Sequence, residues 1–255
     1  MARPQAVIAC WAAVAAAAVV EDLRDPRLAL YLPKHLRDAA QYRSAVQRIL
    51  RSVQEVGLIP KQPLPQLRRR MLRRRSAAVL EQAPCAVSVH YGRECLEEAL
   101  KAAEESRIWV DSVLSAENGE RIENVQVYRP GSAALAKLLL REGGVRFVVA
   151  WPSCSLESLE PPAVVLDGIT SALNLGQLIR SAGCLGVTSF VASEPTWSAF
   201  NGRLAALSAG AAYHARVARA HGGTGGVVEV LQRLRQKGWR LLAAEEFCEK
   251  TLAEA

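Results

Sequence analysis

The stretch LDGITSALNLGQLIRSAGCLGV, Leu166 to Val187, carries an Asp-Gly turn, one Asn, three further glycines and one Arg within twenty-two residues. Its apolar pattern reads as strand, loop and then helix. With a helix opening at Asn174 and 100° per residue, Leu175, Leu178, Ile179, Ala182 and Leu185 share one stripe that suits packing on a sheet. Gly176 and Gly183 stack on the opposite side with Arg180 beside them. Each glycine costs a helix about 1 kcal/mol against alanine. Two on one face imply close approach by another backbone or by a ligand. Asn174 suits an N-cap, and the strand-to-helix loop of a parallel sheet is also where ligands bind. A cap with a solvated arginine and a ligand-facing pair both satisfy this spacing. No G-x-G-x-x-G follows the strand, so a dinucleotide fingerprint is unsupported.

Around this stretch the chain alternates between strand and helix. PAVVLDG and VTSFVAS read as short strands buried on both faces. GRLAALSAGAA reads as a helix, HGGTGG as a loop, VVEVLQRLRQKG as a helix closed by Gly238, and WRLLAAE as a third buried strand. Such alternation predicts an α/β domain over residues 161–255, a parallel sheet flanked by helices. Upstream, AVSVHY, IWVDSVL, ENVQVY and VRFVVAWP read as strands, with ECLEEALKAAEES and SAALAKLLL as helices. They form a small βαββαβ-like module over 85–152.

The N-terminal part differs in composition. Residues 1–57 begin with the uncharged run AVIACWAAVAAAAVV, Ala6 to Val20. It is shorter than the roughly 20 residues a membrane span needs. It suits either the apolar core of a targeting presequence or an Ala-rich buried helix. The compartment is accordingly either cytoplasmic or an organelle, mitochondrion or plastid. Asp38 to Val56 carries Ala45, Val46, Ile49, Leu50 and Val53 at helical spacing. A Pro- and Arg-rich linker, 58–84, follows. Within it Arg68, Arg69, Arg70, Arg73, Arg74 and Arg75 go all round a helix. That run is a solvated surface, and RNA phosphate is one partner it fits.

The 255-residue chain has a net charge of +7 and a pI near 9.3, which favours anionic partners without deciding the fold. Its six cysteines show no C-x-x-C pair, and its four histidines are dispersed. No metal site and no disulfide framework is expected.

The segment VVLDGITSALNLGQLIRSAGCLGV resembles the first motif of the SpoU (TrmH-type) RNA 2′-O-ribose methyltransferases of the SPOUT class, whose pattern is N-x-G-x-x-x-R. Asn174, Gly176 and Arg180 occupy those places. FNGRLAALSAGAAYHARV resembles the second motif, its S-x-G-A core at Ser208, Gly210 and Ala211. The module over 85–152 is similar to the small L30-like RNA-binding domain that precedes the catalytic domain in many members. The resemblance implies methyl transfer from S-adenosylmethionine to a ribose 2′-OH of rRNA or tRNA by a homodimer with a knotted C-terminus. It also implies Arg180 and Asn174 as catalytic residues, and Ser208 and Gly210 as cofactor-binding residues. The small domain and the arginine run would hold RNA.

Two departures accompany it. Ser171 and Ala172 stand where the family usually has Asp-Pro. The family's third motif, a Gly-x-Glu-x-x-Gly loop with a Ser-Leu-Asn helix start, is expected just after Glu246 and is not found before Ala255. The expectation is therefore a methyltransferase represented by an incomplete chain. The alternative is a non-catalytic RNA-binding relative that has lost the cofactor site.

Overall fold

The computed structural model describes residues 18–32, 36, 38–59, 85–117, 122–140 and 144–243. Two sheets organise the chain. The first has five strands: β1 (Ala18–Val20), β2 (Cys85–Tyr91), β3 (Trp109–Ser115), β4 (Gln126–Pro130) and β5 (Val145–Pro152), in the order β1-β4-β3-β5-β2. It is mixed, with β2 and β3 antiparallel to β5, and β1 and β3 parallel to β4. The second is all parallel, in the order β6-β7-β8, with β6 (Ala163–Leu166), β7 (Ser189–Ser193) and β8 (Arg216–Ala220).

Helices α1 (Ala39–Glu55), α2 (Arg93–Glu104) and α3 (Ala133–Leu139) accompany the first sheet. Helices α4 (Ala172–Cys184), α5 (Glu194–Trp197), α6 (Gly202–Leu207) and α7 (Gly223–Gln236) accompany the second. The expected α/β class, with a parallel sheet flanked by helices, is what forms. Strand alternation on β5 shows how the layers stack. Val148 and Ala150 point to one face, where Val46, Ile49, Leu50 and Val53 of α1 cover them. Phe147, Val149 and Trp151 point to the other face, in one core with Leu96 and Ala99 of α2 and with Leu175 and Ile179 of α4. That core continues to Phe190 and Ala192 of β7. Val191, Ala218 and Ala220 turn the other way, onto Val227 of α7.

The described residues of the N-terminal part therefore pair with or pack on the first sheet. Asp38 caps α1, its carboxylate accepting the amides of Ala40 and Gln41 at 2.9 and 2.8 Å. Arg48 of α1 grips the almost fully buried Asp111 of β3 through both carboxylate oxygens, at 2.8 and 2.9 Å. The buried Tyr31 hydroxyl lies 2.9 Å from Ser112 Oγ and donates to it.

Several expectations are corrected. Ala18–Val20 is a strand, so a helix through Val20 does not form; residues 1–17 lie outside the described residues. Asn174 is not the cap of α4: the helix starts two residues earlier and Ser171 caps it, its hydroxyl accepting the Asn174 amide at 3.4 Å. Leu185 is not part of the packed stripe, being 82% exposed just past the helix end. The third parallel strand is Arg216–Ala220, not WRLLAAE. Residues 239–243 of that segment take no strand conformation, and Leu242 is exposed.

Candidate functional site

In a parallel sheet, all strand C-termini meet at one edge. Here that edge carries the loop Asp167–Ser171 after β6, Glu194 after β7, and His221 and Gly222 leading into the glycine-rich start of α7 after β8. His221 Nδ1 lies 3.7 Å from Glu194 Oε1, which brings the last two together. The first loop is held from within: the Gly168 amide donates to Ser193 Oγ at 3.0 Å and the Ile169 amide to Thr196 Oγ1 at 2.9 Å. Gly168 has φ +67°, the left-handed region that favours glycine.

Helix α4 leads away from this edge. Asn174 lies in its first turn and Arg180 near its middle, and both side chains are exposed. On the glycine face, Gly176 is buried and Gly183 is exposed. A Cβ at Gly176 would meet Leu207 Cβ at 3.0 Å and the Ser208 nitrogen at 3.2 Å, and one at Gly183 would meet Ala211 Cβ at 3.9 Å. Gly176 lets α6 and the turn after it approach, whereas a Cβ at Gly183 would make only an ordinary contact. Of the two explanations for a smooth face, close approach by a backbone is realised at Gly176.

Ser208 and Gly210 lie in another environment from Asn174 and Arg180. Ser208 is fully buried, its hydroxyl donating to the Ala205 carbonyl at 3.0 Å and accepting from the Ala212 amide at 3.2 Å. Gly210 has φ +83°, and a Cβ on it would come within 2.8 Å of Glu98 Cβ on α2. The bonds of Ser208 stay within the motif, while Gly210 shapes a seam between the second motif and the 85–152 module. Gly202 does the same, since a Cβ there would lie 2.6 Å from the Val89 carbonyl oxygen of β2.

The seam is aromatic and polar at once. Trp151 packs edge-on against Phe200 with ring centroids 5.4 Å apart, and 5.4 Å from Tyr213. His90, wholly buried, has Nδ1 2.7 Å from the Tyr213 hydroxyl and Nε2 2.7 Å from Ser88 Oγ. Burial lowers its pKa to about 3, so the ring is neutral. A neutral imidazole has one N–H, so one hydroxyl donates to the ring and the other accepts from it. Arg107 adds a bond to the His214 carbonyl at 3.2 Å.

The six arginines Arg68, Arg69, Arg70, Arg73, Arg74 and Arg75 lie outside the described residues. Among the described residues no cluster of three or more His, Cys, Asp or Glu comes together as a metal site, and no helix is long and apolar enough to cross a membrane. What the sequence reading missed is the role of Ser193 and Thr196. Hydroxyl residues just past a buried strand carried no motif that singled them out.

The fold and this edge define an α/β protein whose candidate ligand loops lie at the C-terminal edge of a parallel sheet. Residues 161–255 match the model of the SpoU rRNA Methylase family. No curated protein sequence matches the chain. Among solved structures, the AdoMet-bound rRNA methyltransferase from Sinorhizobium meliloti is 16% identical with a TM-score of 0.43, the match covering 57% of this chain and 58% of that one. The SpoU methyltransferase AviRb from Streptomyces viridochromogenes is 19% identical with a TM-score of 0.47, covering 60% of each chain. An RNA 2′-O ribose methyltransferase is 18% identical with a TM-score of 0.43, covering 86% of this chain and 70% of its own. The chain spans less than two-thirds of the length of the first two.

Proposed function

We propose that the chain is an RNA methyltransferase that uses S-adenosylmethionine and acts on a ribose 2′-OH of rRNA or tRNA, working as a homodimer. The observation that carries this is the N-x-G-x-x-x-R pattern on α4, within a segment that matches the family, with Asn174 and Arg180 exposed and Gly176 used up in packing. A ribose hydroxyl is a poor nucleophile at neutral pH and needs a neighbouring cation or base. The Arg180 guanidinium supplies fixed positive charge and a planar fork of donors, which orients the hydroxyl and favours its oxyanion. The Asn174 amide supplies hydrogen bonds beside it.

The edge of the sheet fits one side of the cofactor. A Cβ at Gly168, Gly223 or Gly225 would meet nothing within 4 Å, so backbone at these positions is open to close approach, whereas Gly226 packs against the His221 carbonyl. The Asp167–Ser171 loop and the Gly222–Gly225 start of α7 are the residues that would hold it. When bound, S-adenosylmethionine supplies an electrophilic methyl group. The described residues offer one wall, not an enclosure, so no step is assigned to Ser208 or Gly210.

The burial of Ser208 and the place of Gly210 in the seam favour a second reading, an RNA-binding relative without catalysis. Calorimetric titration with S-adenosylmethionine separates the two. Binding, followed by transfer of labelled methyl to unmodified ribosomal RNA, supports the enzyme. No heat at millimolar ligand sinks catalysis for this chain and leaves the binding protein. Mapping the label to the 2′-oxygen tests the position on the ribose.

A further inference from the structure

We infer that Ser193 and Thr196 are positioning residues. Their buried hydroxyls hold the Asp167–Ser171 loop, and through it the first turn of α4 with Asn174, in the shape that receives substrate. The inference rests on the methyl-transfer reading above.

Exposed loops commonly leave their backbone amides to water. In this loop Asp167, Gly168 and Thr170 are exposed, yet two consecutive amides, those of Gly168 and Ile169, donate inward to side chains from a different strand-to-helix connection. The acceptors are 1% and 0% exposed, so neither hydroxyl reaches a substrate. They also lie 3.3 Å from each other, one donating to the other. Each hydroxyl has one hydrogen and two lone pairs, so both can accept an amide while sharing this bond. The result is a closed polar staple between the end of β7 and the loop after β6. Ser171, the cap of α4, follows Ile169 by two residues, and Asn174 lies three residues further on. The direction in which the helix leaves the sheet edge is thus set by where the staple holds Gly168 and Ile169. The open space beside Gly168 shows that glycine is needed there for its backbone angle, not to avoid a clash.

The test uses the full chain with tritiated S-adenosylmethionine and an in vitro-transcribed, unmodified ribosomal RNA. Amide hydrogen exchange is measured in parallel. Thr196→Val keeps the side-chain shape but removes the acceptor of the Ile169 amide. Exchange at Gly168 and Ile169 is expected to rise roughly tenfold while the middle of α4 is unaffected. The kcat should fall roughly tenfold, with KM for RNA little changed. Thr196→Ser, which restores the hydroxyl, should return both readouts toward wild type. Ser193→Ala, a smaller change, should act in the same direction at Gly168 and serves if Thr196→Val does not fold. Unchanged exchange in both variants overturns the staple. Faster exchange with kcat intact overturns the positioning role. Absence of methyl transfer by the wild type overturns the methyl-transfer reading and the positioning role with it, while exchange still decides whether the staple holds the loop.

Discussion

Arg180 and Ser208 sit in different surroundings and are expected to respond differently to substitution. Arg180 is exposed on α4, so Arg180→Ala should change folding stability by no more than about 0.5 kcal/mol. With Arg180 in its proposed role beside the 2′-oxygen, the same change should lower methyl transfer by about 100-fold or more. Thermal unfolding and a methyl-transfer assay on one preparation check both halves. Loss of soluble protein in this variant would instead make Arg180 structural. Ser208 is the reverse case. Ser208→Ala leaves the buried Ala212 amide without its acceptor and should cost about 1–3 kcal/mol in chemical denaturation. The spacing of the motif was legible in the sequence, but this difference was not. Nor was the close fit of Gly210 and Gly202, which depends on Glu98 and Val89, more than a hundred residues upstream.

The elements themselves were partly legible. Val46, Ile49, Leu50 and Val53 recur at helical spacing and all four are buried on α1. The alternation in β5 gave a strand whose two faces do pack on different layers. β8 was missed because Arg216 and Arg219 interrupt its apolar run. Arg219 nonetheless is buried, its guanidinium 5.2 Å from the Trp197 ring centroid, a cation–π contact that only the assembled sheet provides. The apolar run of WRLLAAE was misread for the converse reason. An apolar pattern suits a strand but cannot supply its partner. Helix packing yields a sharper test. Gly202→Ala would force a Cβ to within 2.6 Å of the Val89 carbonyl oxygen, and backbone on both sides limits relief. It should destabilise the fold by about 3 kcal/mol despite alanine's better helix propensity, read as a fall in urea midpoint without a change in slope.

For the molecule as a whole, the seam makes the two sheets one cooperative unit. Trp151, Phe200 and Tyr213 each lie 2% exposed or less and belong to one core with residues of both sheets. Trp151→Ala should cost about 3–5 kcal/mol and lower both halves together in a single transition. His90 gives the seam a pH dependence. Its folded pKa is depressed to about 3 against 6.5 for the free side chain, so between those values the unfolded chain binds more protons. Stability from the neutral ring is complete above about pH 6.5 and is lost as pH falls toward 3. Between pH 7.5 and 5 the loss should be about 2 kcal/mol. Denaturation curves at the two pH values check this, and His90→Gln should remove that part of the decline.

The edge strand β1 sets a schedule for biosynthesis. Ala18 pairs with Tyr128 and Val20 with Pro130, across a separation of 110 residues. Parallel pairing over so long a loop forms late, after the local contacts of the 85–152 module. On a ribosome the first strand must therefore wait, its apolar residues uncovered, until Pro130 has been made. During that interval Val20 and the apolar face of α1 are the segments most open to chaperones, and the sheet closes from its C-terminal strands toward its N-terminal one.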